Sequence, residues 1–126
     1  MNVSSIRPGL SHFCENWNSF IDMLKTNYLV EPLLDRRINC KTVEGEKFVL
    51  QLTDSSASFH DGEDVWAHAT FMTDTAGWQD LFRGKLNFLT LAMQGRMRTT
   101  VDETLIHLRL SIIIQLLALM RPTPQE

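Results

Sequence analysis

The sequence predicts an α+β domain: a five-stranded, mostly antiparallel sheet with helices packed on one face. Three observations carry that reading. Apolar residues near the start recur at helical spacing. The stretch from Ile38 to Met72 alternates apolar and polar residues between turn signals. The chain then closes on two short helices, a strand and a long helix that is apolar on nearly every side. At 126 residues, this fits one domain with one core, residues 1–126, the core running over about residues 10–120.

The elements follow in order. Leu10, Phe13, Cys14, Trp17, Phe20, Ile21 and Leu24 fall at i, i+3, i+4, i+7, an amphipathic helix with Pro8-Gly9 before it and Ser11 as its cap. A short helix is expected over Leu29–Arg36, with Pro32 in its first turn. Ile38–Val43 and Lys47–Thr53 read as a β-hairpin around Glu44-Gly45-Glu46. Ala57–His60 is a third strand and Val65–Met72 a fourth, joined by the hairpin signal Asp61-Gly62. Four consecutive strands can form an antiparallel meander.

Asp74 or Thr75 then caps a helix carrying Trp78, Leu81 and Phe82 that ends near Gly84. Asn87 caps a short helix, Phe88–Gln94, which Gly95 stops. Arg96–Val101 is a fifth strand that must join at an edge or cross over. Thr100–Glu103 fits a capping box, with Asp102 as the alternative cap. The last helix follows and ends before Pro122 and Pro124.

Composition narrows the function. The chain is 44% hydrophobic and 21% charged, ordinary for a globular protein. A net charge of −3 argues against general nucleic-acid binding, which needs a basic footprint. Cys14 and Cys40 read as two free buried thiols of a reducing cytoplasm. MNVSSIRPGLSHF has no basic stretch followed by an apolar one, so no signal peptide is expected. The longest apolar run, Leu110–Met120, is interrupted by Ser111 and Gln115 and falls well short of the ~20 residues that span a bilayer. A soluble cytoplasmic protein is expected.

The terminal helix poses the functional question. Only His107, Ser111, Gln115 and Ala118 form a less apolar stripe, on one narrow face. A helix apolar over the rest of its circumference must be covered by core, a partner subunit, lipid or an apolar ligand. Arg109 projects from the apolar side, about 200° from His107 at ~100° per residue. It must be paired or reach water. It is either half of a structural salt bridge or an anchor for a ligand headgroup. Arg83, Lys85, Arg96 and Arg98 make a second basic cluster, either a solvated face or a site for a phosphate or an anionic membrane.

The order of elements and the segment Asp74–Asp102 resemble the sterol-carrier-protein type 2 family. In that family an L-x-x-G-K helix end leads into an apolar helix, then a G-K/R-x-K/R-x-x-G-D/N strand, then a closing helix. The matching residues are Leu81, Phe82, Arg83, Gly84 and Lys85, then Ala92, Met93, Gln94, Gly95, Arg96, Met97 and Arg98, then Asp102. The family's Gly before the Asp/Asn is Val101 here. The resemblance implies an apolar tunnel between sheet and helices that binds sterol, fatty acid, fatty acyl-CoA or a quinone-like lipid without catalysis. The expected ligand-binding residues are Phe71, Trp78, Phe82, Phe88, Leu89, Met93, Arg109, Leu110, Ile113, Ile114 and Leu117. The expected partners are an apolar small molecule and, transiently, a membrane.

Catalytic and cofactor motifs are absent from the sequence. There is no nucleotide-binding Gly loop, no H-E-x-x-H and no C-x-x-C. His60, Asp61, Asp64 and His68 lie close in sequence, but Asp61-Gly62 reads as a solvated turn rather than a metal site. No cofactor, metal or catalytic residue is expected. Two alternatives stand beside the carrier. One is an accessory module whose terminal helix packs on a partner or on its own copy. The other is a small cone-shaped isomerase-type enzyme, for which Asp54, Asp74 and His68 are weak candidates for the buried acid or base.

Overall fold

The sheet grows from the Glu44-Gly45-Glu46 turn. Strands β1 (Arg36–Thr42) and β2 (Lys47–Leu52) pair antiparallel, with Ile38 opposite Leu50 and Cys40 opposite Phe48. Strand β3 (Ala57–Asp61) pairs antiparallel with β2. Strand β4 (Ala69–Thr73) joins the other side of β1, and here the meander expected from the sequence is corrected. The two strands run parallel, Ile38 beside Ala69 and Thr42 beside Thr73. Strand β5 (Arg98–Thr99) completes the order β3-β2-β1-β4-β5 at the edge of β4, antiparallel to it. The sheet is therefore mixed. This computed structural model describes residues 5–28, 30–99 and 104–120. The expected capping box at Thr100–Glu103, Val101 at the strand end, Leu29, Pro122 and Pro124 lie outside them. So do the side chains of Leu105, His107, Leu108 and Met120.

The parallel pairing has a topological cost. Strand β3 ends at the edge of the sheet where β1 also ends, and β4 must start where β1 starts. Residues 62–68 therefore run back diagonally across the outer face. Asp61-Gly62 is not a two-residue hairpin, and β4 begins four residues later than the alternation from Val65 suggests. The Asn39 side chain holds the crossing segment. It donates to the Asp64 carbonyl and accepts from the Asp64 N–H, both at 2.9 Å. A side-chain amide thus stands in for a neighbouring strand, satisfying the Asp64 N–H and adding a second donor to a carbonyl that also accepts from the Ala67 N–H.

Helices cover the other face. Helix α1 (Arg7–Leu24) buries Leu10, Phe13, Cys14, Trp17 and Leu24. It starts earlier than a Ser11 cap would allow, because Pro8 is tolerated in a first turn. The amino end also has a tertiary cap: Glu46 accepts from the Ile6 N–H at 2.9 Å and from the Ser5 hydroxyl at 2.6 Å. The expected second helix is a single 3-10 turn, Glu31–Leu33. Helix α2 (Thr75–Phe82) is capped by Asp74, whose Oδ1 accepts from Gly77 N–H at 2.6 Å. Glu44 accepts from the Thr75 N–H at 2.9 Å. One turn thus places a carboxylate at the amino ends of two helices, where the helix dipole favours negative charge.

Helix α3 (Phe88–Met93) and helix α4 (Thr104–Met120) close the layer, with α4 packed against α1, α2, α3 and the 3-10 turn. The core between sheet and helices is filled by large side chains. Trp17 and Trp78 are fully enclosed, and their indole N–H groups donate to the carbonyls of Thr53 and Lys41 at 3.3 and 2.7 Å. Cys14 and Cys40 are free and buried, as the sequence led us to expect. Burial pushes the Cys14 thiol up to about 12, and burial also raises that of Cys40. Neither thiol is activated as a nucleophile.

Candidate functional site

The site is built where α3 meets α4. Asn87 caps α3, its Oδ1 accepting from the Thr90 N–H at 2.8 Å. The next free backbone donor, Phe88 N–H, reaches the Ser111 hydroxyl of α4 at 3.1 Å. The second of these bonds ties the short helix to the long one but leaves their outer sides apart. Between them, over the edge strand β5, lies an open groove of about 320 Å³ lined by Asn87, Phe88, Leu89, Ala92, Met97, Thr99, Ser111, Ile112 and Gln115. None of the nine is charged. The volume is at the small end of ligand sites.

Leu89 is 62% exposed and Ile112 44%, while Met93, one turn beyond Leu89 on the same side of α3, is 80% exposed. Phe88 forms the floor. Its ring meets Phe71 at 4.8 Å and Trp78 at 6.3 Å between centroids. Trp78 in turn stacks on Phe82 at 5.6 Å, and Phe82 meets Phe13 at 6.3 Å. An aromatic column thus runs from the groove floor to α1.

The expected site residues separate into groups. Phe88 and Leu89 line the groove, while Met93, one turn beyond Leu89, is exposed and is not among the lining residues. Phe71 and Trp78 back the floor. Leu110, Ile113, Ile114 and Leu117 are buried in the helix-to-sheet core and do not line the groove. Phe82 lines a different concavity, about 280 Å³ between α1 and α2, with Gly9, His12, Gln79 and Arg83. Arg109 sits on the opposite flank of α4, where Nη1 donates to the Tyr28 carbonyl at 3.0 Å. It forms no salt bridge among the described residues, and its enclosed Nε has no hydrogen-bond partner among them.

Seven lining residues went unassigned in the sequence: Asn87, Ala92, Met97, Thr99, Ser111, Ile112 and Gln115. A signal existed for two of them. Ser111 and Gln115 belong to the less apolar stripe of the last helix, and both line the groove.

The basic cluster is dispersed. Arg96 forms two bonds to Asp74, Nε to Oδ2 at 3.0 Å and Nη2 to Oδ1 at 2.8 Å. That pairing holds the Asp74 carboxyl below its ordinary value, chiefly through the Arg96 hydrogen bonds. Arg98 lies on the outer face of β5, beside Met72. The imagined metal ligands are engaged elsewhere too: Asp61 with Arg7 at 2.6 Å, Asp64 with Arg37 at 3.0 Å, and His68 Nδ1 with the Arg37 N–H at 3.1 Å. With Asp74 paired, His68 bonded to backbone and Asp54 exposed in the β2–β3 turn, no buried acid faces the groove among the described residues.

This sheet order, with helices on one face and a closing helix, defines the sterol-carrier-protein-2 type of α+β fold. The solved structures place the chain in that fold class. The ubiquinone synthesis protein UbiJ-SCP2 superposes with a TM-score of 0.66 at 14% identity, covering 94% of this chain and 98% of that one. Sterol carrier protein 2 from Yarrowia lipolytica, in its apo form, gives 0.61 at 17% identity over 84% and 86%. The sterol carrier protein domain 2 of Helicoverpa armigera gives 0.58 at 16% identity over 86% and 93%. At these identities the likeness establishes the fold. A scan against protein-family models returns no match, and no curated protein sequence matches. The cone-shaped isomerase architecture is set aside, because the sheet order β3-β2-β1-β4-β5 with its layer of helices matches the sterol-carrier type. Among the described residues, no helix is long and apolar enough to cross a membrane.

Proposed function

We propose that this chain is a cytoplasmic, non-catalytic lipid-binding protein that holds an apolar molecule in the groove between α3, β5 and α4. The observation that carries the reading is the groove itself. Leu89 and Ile112 are exposed around a buried aromatic floor, and burying a ligand chain there yields ~0.8 kcal/mol per CH₂. The sterol-carrier-type fold supports the same reading, since its solved neighbours include proteins described as sterol carriers. The polar groups at the groove are hydroxyls and amides. Ser111, Thr99, Asn87 and Gln115 suit the neutral oxygens of a sterol or quinone-like head better than a carboxylate or a phosphate. Phe71 and Trp78 act by holding the floor, and Leu110, Ile113, Ile114 and Leu117 by holding α4 in place. Arg109 tethers α4 to the segment after α1 instead of anchoring the ligand.

Competition between a neutral fluorescent sterol and a fluorescent fatty acid tests this. The neutral probe should bind, and unlabelled sterol or quinone should displace it. Ile112→Asp should weaken it by about 1.5–3 kcal/mol, the value of one large apolar contact, with the melt unchanged. Arg109→Met should leave the preference between neutral and acidic ligands unaltered. Failure of both probes to bind at saturation would sink the carrier reading. The second reading, an accessory subunit, draws on Ile112 and Leu119, exposed 44% and 82% on α4. A native mass twice that of the chain, persisting on dilution, would favour it.

A further inference from the structure

The connection from β3 to β4 carries two neighbouring exposed apolar side chains over the outer sheet face. Val65 is 83% exposed and Trp66 79%, side by side. Their backbone is held from several directions. Asn39 clasps Asp64 N–H and C=O, and Arg37 pairs with the Asp64 carboxylate at 3.0 Å. Arg37 also donates to the Trp66 carbonyl at 3.3 Å. The Trp66 N–H donates to Asp64 Oδ1 at 2.8 Å, and the Ala67 N–H to the Asp64 carbonyl at 3.1 Å. Two large apolar side chains are thus held in water on a fixed stalk, so little ordering entropy remains to be lost when they dock.

The charge beneath them has one sign in excess. Strand alternation puts Arg37, Lys41, Lys47 and Arg98 on this face, and the strand register lines up Lys47, Lys41, Met72 and Arg98 in one row. Among the described residues two carboxylates meet them: Asp64 on Arg37, and Glu63 shared by Lys41 at 3.2 Å and Lys47 at 3.8 Å. Among these residues the surplus is positive, on a chain whose net charge is −3.

We propose that the Val65-Trp66 tip and this basic face form a docking surface for an anionic lipid bilayer. Tryptophan settles at the membrane–water interface, where its apolar ring and its N–H are both accommodated. Surplus Lys and Arg around it add attraction to anionic headgroups. A protein partner suits the surface less well, because a stable interface buries about 800 Å² on each side and this tip offers two side chains on a hydrated, charged field. The surface is separate from the groove, and its test does not depend on what the groove binds.

Of the three tryptophans, Trp17 and Trp78 are fully buried, so quenching by acrylamide reports Trp66. Vesicles of phosphatidylcholine containing phosphatidylglycerol should shift the emission to the blue, protect it from acrylamide and sediment the protein. Pure phosphatidylcholine should do so weakly, and added salt should reduce the anionic binding. The double variant Val65→Ser with Trp66→Ser should bind anionic vesicles about tenfold or more weakly, the weight of a large apolar contact. Lys47→Glu should weaken binding while keeping the residual blue shift at high vesicle concentration. Melting temperature and groove-probe affinity serve as controls and should match the parent in both variants. The proposal is overturned if the parent ignores anionic vesicles or if the double variant binds them as well as the parent. It is also overturned if Trp66 shifts to the blue with protein concentration alone, which would make the tip a contact between copies.

Discussion

Asp74 serves two purposes with one carboxylate. It caps α2 through Gly77 N–H, and it receives two bonds from Arg96 beyond α3, so it ties the start of α2 to the segment that leads from α3 into β5. Asp74→Ala should cost about 0.5–2 kcal/mol in denaturant unfolding at neutral pH, the range for a lost cap. Asp74→Asn keeps a capping oxygen and removes the charge. Because the folded carboxyl sits below its ordinary 3.8, the charged form stabilises the fold above that pH, and the contribution disappears as pH falls through the folded value. The stability gap between parent and Asp74→Asn should therefore be constant above about pH 5 and close below about pH 4. A gap that widens on acidification would show that the Arg96 pairing does not govern this carboxyl.

At the scale of elements, the decisive contact lies where α1 crosses α2. A Cβ on Gly9 would collide with Cδ2 of Phe82, a ring already stacked on Trp78 and leaning on Phe13. Glycine is poor in a helix interior, so alanine there would ordinarily help by roughly 0.5–1 kcal/mol. Here overpacking should dominate, and Gly9→Ala should lose about 1–3 kcal/mol before that gain is credited. Adding Phe82→Leu to the same chain should restore part of the loss by vacating the ring. Equal stability of Gly9→Ala and parent would mean that the helices separate freely. Helix α4 shows why its composition alone was ambiguous. Ile106, Leu110, Ile113, Ile114 and Leu117 are buried in the core, while Ser111, Ile112 and Gln115 turn to the groove. A helix that serves a core on one side and an open groove on the other reads as apolar all round.

For the whole molecule, ligand binding and folding are linked. A ligand that occupies the groove only in the folded state should stabilise it by about 2.7 kcal/mol at a hundredfold excess over Kd. For a chain of this size that is a rise in Tm of roughly 8–12 °C. The rise should depend on ligand concentration and not on protein concentration. A Tm that climbs with protein concentration in the absence of ligand would instead place the stabilising contact between copies.

The sequence by itself determined most element types, the side that α1 buries, the cap at Asn87, the helix end near Gly84 and the two buried thiols, and it narrowed the α2 cap to Asp74 or Thr75. These depend on local periodicity and on hydrogen bonds within a few residues. Tertiary structure alone decided that β4 runs parallel to β1, because strand alternation is the same in either direction and the choice depends on Asn39 and Arg37 gripping a distant loop. It alone decided that Glu44 and Glu46 cap two helices from one turn. It also divided the apolar residues of the closing helices between core and groove. Periodicity tells which residues avoid water on average, whereas the groove arises where two helices fail to meet, and that gap belongs to neither sequence segment alone.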